Sequence, residues 1–463
     1  MRQQTRVIAA LVEGCSISAK NIQEGLFTIL FTFSTKKKES IAQNLKFSIL
    51  SLRENCENIF EISYCNVKVV LNLKYESFSN INYDIQPIYI IHRNSDGKFQ
   101  STSDDNENDV SDALANIDLA LKLTQCVIST KFNENRLGER SFALRKCEEF
   151  YSNIDVEEAR KMNQWELYDE IAKEILNKNG SDVRKYRKFV AFVSCTLFQG
   201  LEENEEYSYS NIQRKTLANP ALGGGFLCLM GSGSLFSYPK NVESVQAAFQ
   251  NKKKVDLNQV LDDSNYRKTY GGCFSTSLGS LIHEIGHIFD LAHTESGLMG
   301  DDIDYVHRFF LTELFTEVLP KRSIRCQINK DLQSKFDISK KFTILKKPGG
   351  TFLEKYHQQK NNDMTFFEQS CLVTLWNHKW FTQSRHFDEI TFNHEEKILR
   401  SKDSFIRVIE IRELEHKNRI VIKSWIFSDI NLSEFSFPKE ILLKSISIFA
   451  ISSNGVIYKE DFN

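Results

Sequence analysis

The chain has 463 residues, 41% of them hydrophobic and 26% charged, with a formal net charge of −2. That length suits two or three domains with buried cores, and the near-zero charge leaves no electrostatic case for nucleic acid or an anionic membrane as a partner. The ten cysteines are scattered, with no C-x-x-C pair, so they read as reduced, mostly buried thiols and not as an all-cysteine metal site.

Three regions follow in chain order. Residues 1–84 alternate strand-like segments (26–33, 45–52 and 59–75) with polar turns, and β-branched and aromatic residues dominate them, which predicts a small β-rich domain. No cysteine switch peptide marks it as an inhibitory pro-segment. The apolar stretch at 7–12 is interrupted by Glu13, too early for a secretory signal. No run approaches the roughly 20 apolar residues that span a bilayer. The expectation is therefore a cytoplasmic protein without a membrane partner.

From 85 to 384 the pattern becomes mixed. Strands are expected at 88–92, 189–198 and 225–230, and helices at 110–129, within 155–177, and at 242–249. Beyond residue 300, helical periodicity recurs at 308–319, stopped by Pro320, and at 365–381. From 385 to 463, strands at 405–411, 419–427 and 445–451 suggest an accessory β-sandwich or an added sheet. The fold class expected is α+β, with β-rich regions flanking the mixed central domain.

Residues 283–293 read HEIGHIFDLAH. On a helix, His283 and His287 lie one turn apart and can reach one metal ion. Glu284, about 100° round the helix, can act as a base without ligating that ion. Chance would place H-E-x-x-H in on the order of 1 or 2 such chains per hundred, and a third His six residues on cuts that about fiftyfold. Leu278, Leu281, Ile282, Ile285, Ile288 and Phe289 form one apolar stripe, and Ser275 or Ser277 is a plausible N-cap. A continuous helix would carry His293 roughly 9 Å past His287, so the helix must break near Asp290 or Leu291 for His293 to be the third ligand. Three imidazoles with a fourth position open suit a catalytic Zn2+.

This spacing resembles that of the metzincin zinc peptidases, H-E-x-x-H-x-x-G-x-x-H, with Asp290 at the position of the family's glycine. Asp tolerates the left-handed turn at a cost of about 1–2 kcal/mol. The resemblance implies a twisted mixed sheet over the active-site helix, and a Met-containing turn beneath the metal, for which Ser296-Gly-Leu-Met299-Gly is similar. It also implies a substrate-binding edge strand at 225–236, a peptide or protein substrate, and Glu284 as general base. Tyr305 or His307 could then steady the oxyanion. From Gly271 to Phe310 the chain also resembles a family of cytosolic zinc metallopeptidases, some with a C-terminal jacalin-like domain, which raises glycan or protein binding by the C-terminal region.

Two alternatives stay open. In a gluzincin-type site, Glu313 or Glu317 would replace His293 as third ligand. In a non-catalytic protein, zinc would only stabilise a partner- or glycan-binding fold.

Overall fold

The computed structural model describes residues 81–462, apart from 105–107, 139, 203, 312–316, 321–362, 386–388, 415–418 and 439–444. Before residue 81 it describes strands only. Among these, Glu57–Tyr64 (β1) and Val67–Lys74 (β2) pair as an antiparallel hairpin where one segment at 59–75 was expected. The short strands Phe27–Ile29 and Ser48–Leu50 also pair.

The strand Asp84–Arg93 (β3) leads to the long helix Val110–Glu134 (α1), whose first turn is closed by a capping box between Asp109 and Asp112. The strand Glu148–Asp155 (β4) follows, then the short helix Val156–Lys161 and the helix Gln164–Asn179 (α2), which splits the single helix expected at 155–177. Arg187–Val193 (β5), Ala221–Gly224 (β6) and Leu227–Gly231 (β7) complete the central sheet. Its order is β4-β3-β5-β7-β6, parallel except for β6, which runs antiparallel at the edge; a sixth, two-residue strand, Ala143–Leu144, also pairs parallel with β3.

Alternation along the strands makes this sheet the middle of three layers. Val190, Phe192, Cys228 and Met230 face α1 and the helix Tyr270–Ile288 (α3). Phe189, Ala191, Leu227 and Leu229 face α2 on the other side. Both faces are covered, so the parallel strands read as near-continuous apolar runs.

The helix α3 begins earlier than expected. Its N-cap is Thr269, whose hydroxyl accepts from the Gly272 N–H at 3.1 Å. Ser275 and Ser277, the expected caps, lie inside the helix. There Ser275 donates to the Asp304 carbonyl at 2.9 Å and Ser277 donates back to the Cys273 carbonyl at 2.7 Å. Every residue of α3 is buried, so the expected single apolar stripe is only part of what is covered. The polar face is packed too.

The helix Gln369–Asn377 (α4) is separated from Lys379–Thr382 by His378, whose ψ of 136° breaks the helix expected at 365–381. The helix expected at 308–319 is found at His307–Phe310, where an extended Leu311 ends it. Among the described residues, no helix is long and apolar enough to cross a membrane.

The C-terminal region forms two facing sheets. Ile406–Glu413 (β8), Ile420–Ile426 (β9), Ile446–Ser452 (β10) and Ile457–Phe462 (β11) make an antiparallel sheet of order β9-β8-β10-β11. A three-stranded sheet of Ile390–Asn393, Ile398–Ser401 and Glu434–Ser436 covers one of its faces through Leu399, Ile409, Ile411 and Ile448. On the opposite face Val408, Phe449 and Ile451 pack against Val373 of α4. This seats the sandwich beside the end of α3.

Candidate metal centre

The last turn of α3 brings His283 and His287 together, with ring centroids 4.7 Å apart and Nε2 atoms 3.0 Å apart. The ring of His293 lies 5.1 Å from His283 and 4.7 Å from His287. One ligand atom from each of the three lies within 4.8 Å of the others, and this is the one such group of three among the described residues.

The break that returns His293 is a helix stop with defined hydrogen bonds. The Leu291 N–H donates to the Gly286 carbonyl and the Asp290 N–H to that of His287, both at 3.1 Å. Asp290 adopts φ 66°, the left-handed residue that such a stop requires. His293 is then held by the C-terminal sheet. Its N–H donates to the Arg419 carbonyl at 2.9 Å, and its own carbonyl accepts from the Val421 N–H at 2.9 Å. This makes a parallel bridge to Ile420.

The ring tautomers follow from backbone acceptors. His283 Nδ1 lies 2.7 Å from the Leu298 carbonyl, and His287 Nδ1 lies 2.9 Å from that of Leu291. A carbonyl can only accept, so both Nδ1 atoms carry hydrogen. With both rings neutral, the two Nε2 lone pairs face each other at 3.0 Å. Two acceptors at that distance repel unless a proton or a metal ion lies between them, and with a third imidazole within reach the three rings could hold a metal ion.

Glu284 is buried at 4% exposure. Its carboxylate is near enough to Tyr168 and Cys228 to raise both their pKa values, on top of the larger effect of burial. The Tyr168 hydroxyl lies 2.8 Å from the Gly224 carbonyl and 3.1 Å from that of Leu227. Above Glu284 passes β6. A Cβ on Gly223 would sit 2.0 Å from the Glu284 carbonyl oxygen, so only glycine lets the sheet edge lie this close. The edge is thus Ala221–Gly224. The expected edge at 225–236 is instead occupied by β7, an inner strand paired on both sides. The Gly-rich stretch was visible in the sequence, and close approach is the signal it carries.

Met299 is fully buried beneath the helix. A Cβ on Gly286 would meet its Sδ at 2.3 Å, so a glycine between the two helical histidines makes room for the sulfur. The same turn supplies the Leu298 carbonyl that orients His283.

Asp290, which stands where a glycine is the family pattern, has its own contacts. Its carboxylate accepts from His378 Nε2 at 3.1 Å and pairs with Lys459 on β11. Its carbonyl accepts from Arg412 on β8 at 2.9 Å. Burial works against the charge, but His378, Lys459 and Lys188 hold the carboxyl well below the usual carboxylate range. These partners, like Arg419 and Val421, come from remote sequence and left no local signal.

The other expected site residues have partners of their own. The Tyr305 hydroxyl accepts from the Leu319 N–H at 2.9 Å, with the Arg308 guanidinium 4.2 Å from its ring. His307 contacts Ser275 at 2.9 Å and Glu317 at 3.0 Å. Glu317 also faces Arg267 at 3.7 Å, so its half-buried carboxylate belongs to that network and not to the three-histidine group. Glu313 falls outside the described residues.

A cleft of about 520 Å³ reaches the centre at His287, and is lined by Gly223 and Gly224 of the sheet edge, by Gly225 of the turn after it, and by Arg419 and Asp461 of the C-terminal sandwich.

The sequence profile of a family described as "Putative peptidase family" matches residues 11–377. A 97-residue stretch is 36% identical to "Putative zinc metalloproteinase YIL108W" of Saccharomyces cerevisiae, covering 20% of this chain and 14% of that protein. A 111-residue stretch is 30% identical to "Putative zinc metalloproteinase C607.06c" of Schizosaccharomyces pombe, covering 23% of this chain and 18% of that protein. The matched stretches thus span under a fifth of each curated relative. Crystal structures of OgpA from Akkermansia muciniphila align over 83% of this chain and 94% of theirs for the wild type, at 12% identity and a TM-score of 0.41. The inactive form in complex with an O-glycopeptide (glycodrosocin) substrate aligns over 93% of its length at the same identity and score. A likeness of that size decides neither fold nor chemistry.

Proposed function

We propose that this chain, which belongs to the family described as "Putative peptidase family", is a zinc-dependent peptidase that cleaves peptide bonds within the cleft beside β6. The observation that carries this reading is the pair of Nε2 atoms facing each other at 3.0 Å, each ring with its other nitrogen committed to a carbonyl.

His283, His287 and His293 would hold one zinc ion, which supplies Lewis-acid polarisation and water activation at neutral pH when bound. The chain's own groups supply the rest. Glu284 accepts the proton of the attacking water and passes it to the leaving amine. Its backbone is fixed under Gly223, so the base and the sheet edge keep one spacing. The outer edge of β6 offers unpaired backbone groups along which an extended substrate can add as a strand. The glycines there leave the approach open. We read the combination of antiparallel edge, left-handed stop at Asp290 and buried Met299 as a metzincin arrangement.

The C-terminal sandwich serves this site directly, because Arg419 and Val421 grip the main chain of His293 and Asp461 walls the cleft. Buried thiols at Cys147, Cys195, Cys228, Cys273 and Cys371 suit a reducing compartment, and we place the protein in the cytoplasm on that ground; cell fractionation tests the placement.

The test of function is incubation of zinc-loaded protein with a diverse peptide library, new termini being mapped by mass spectrometry, beside the Glu284→Ala protein. The expected result is cleavage lost in the variant. Absence of cleavage with zinc bound contradicts the reading and returns the weight to a binding protein.

A further inference from the structure

Beyond the Gly225 turn, the cleft over the metal centre continues into a second cavity of about 770 Å³; Gly225, Asp290 and Lys459 line both. Among the described residues, five cations line this second cavity, Arg184, Lys188, Lys379, Arg385 and Lys459, against one carboxylate, that of Asp290. That carboxylate is already engaged by His378 and Lys459. Arg184 and Arg385 stand exposed at its mouth and Lys188 is buried at its wall, and a cleft lined by one sign of charge favours a counter-charge.

The two inner lysines are placed with some precision. Lys188 is buried at 6% exposure, and its Nζ donates to the Gly225 carbonyl at 2.6 Å. Its Nζ lies 4.4 Å from the centroid of the Trp380 ring, and that of Lys379 lies 4.9 Å from the same ring. Lys379 also lies 5.2 Å from the ring of Tyr83. Burial pulls the Lys188 ammonium down to about 8; Asp290 opposes that shift, and Lys379 and Lys459 add to it. Ammonium groups beside aromatic walls suit a ligand with a short aliphatic stem and an anionic head.

We propose that this cavity is a specificity pocket for a carboxylate of the substrate, entered by a peptide that runs along β6 and past Gly225. The proposal rests on the peptidase reading. Lys188 and Lys379 supply the charge at the base of the pocket, and Trp380 packs against the stem that carries the carboxylate. A Glu or Asp side chain and a substrate C-terminus share this chemistry, and the test separates them.

Zinc-loaded protein is given two pools of acetylated, amidated decapeptides, one fully randomised and one with Gln and Asn in place of Glu and Asp. Cut sites in the first pool should carry an acidic residue at one fixed position at about tenfold its pool frequency, the preference of one good charge contact. Lys188→Met, and the more exposed Lys379→Gln in case the first does not fold, should each lower that enrichment below about threefold. A third pool with free C-termini tests the other source, since cuts at one fixed distance from the end assign the pocket to the terminal carboxylate. Cleavage of all pools with neither preference overturns the pocket and leaves the peptidase reading standing. If no pool is cleaved, calorimetric titration of the first two pools into the Glu284→Ala protein decides. Tighter binding of the acidic pool, lost in Lys379→Gln, supports the pocket, and equal binding overturns it.

Discussion

Placing glycine at position 290 looks like an improvement from sequence pattern, and the structure predicts the opposite. Asp290 sits at φ 66°, so Asp290→Gly relieves about 1–2 kcal/mol of left-handed strain. The same change removes a charge-assisted bond to His378, worth about 1.5–3 kcal/mol. It also removes a pair with Lys459, worth about 0.2–1 kcal/mol because that lysine is 42% exposed. The net expectation for Asp290→Gly is a loss of about 1 kcal/mol. Asp290→Asn keeps most of the strain and loses the charge, so it should lose about 2 kcal/mol or more. Denaturant unfolding of the three proteins at one zinc concentration checks the order wild type, Gly, Asn, since bound metal itself shifts stability. The pH dependence checks the cause. The carboxyl is held below its usual value near 3.8, so its contribution is complete above that pH and is lost as pH falls towards the depressed value. The gap between wild type and Asn should therefore close below about pH 4. A Gly variant more stable than wild type, or a gap that persists in acid, would refute the argument that Asp290 stabilises the helix stop through its contacts.

Glu284→Gln should lower kcat/KM by about 10²–10⁴ with zinc content unchanged by mass spectrometry, as expected for a lost general base. Gly223→Ala drives a Cβ to 2.0 Å from the Glu284 carbonyl oxygen, whereas at Gly224 the nearest atom is the Tyr168 hydroxyl at 4.0 Å. The first change should cost about 1–3 kcal/mol in denaturant unfolding and most of the activity, and the second little of either. Burial, with Arg160 nearby, pulls His92 down to about 4 from 6.5. The unfolded chain then binds more protons between those values, so folding stability should fall by about 3 kcal/mol as pH drops through that window. His92→Leu should flatten this acid slope in unfolding curves collected from pH 7 to 4.

What could be read from the sequence is what is local. The spacing of His283 and His287 needs only helical geometry, and the need for a break before His293 follows from the rise per residue. The identity of Asp290 at that break is legible, but its reason is not, because His378 and Lys459 lie 88 and 169 residues away. His293 likewise depends on Arg419 and Val421, whose pairing with it is a main-chain contact that no side chain announces. Ser275 and Ser277 have good capping chemistry, yet Thr269 caps the helix because tertiary packing extends it through Gly271 and Gly272. Propensity at helix ends yields to packing. The edge strand was misplaced for a related reason. The longer apolar run at 227–231 pairs on both sides, while the glycines that form the true edge have no side chains to signal burial or pairing.

The most direct test of the central claim is X-ray absorption at the zinc edge on the purified chain, with His293→Ala and Glu317→Ala beside it. The account predicts one zinc per chain with three imidazole shells at about 2.0–2.1 Å, one shell lost in His293→Ala and none in Glu317→Ala. A chain that binds no zinc, or one whose third ligand is a carboxylate that survives His293→Ala, would contradict it.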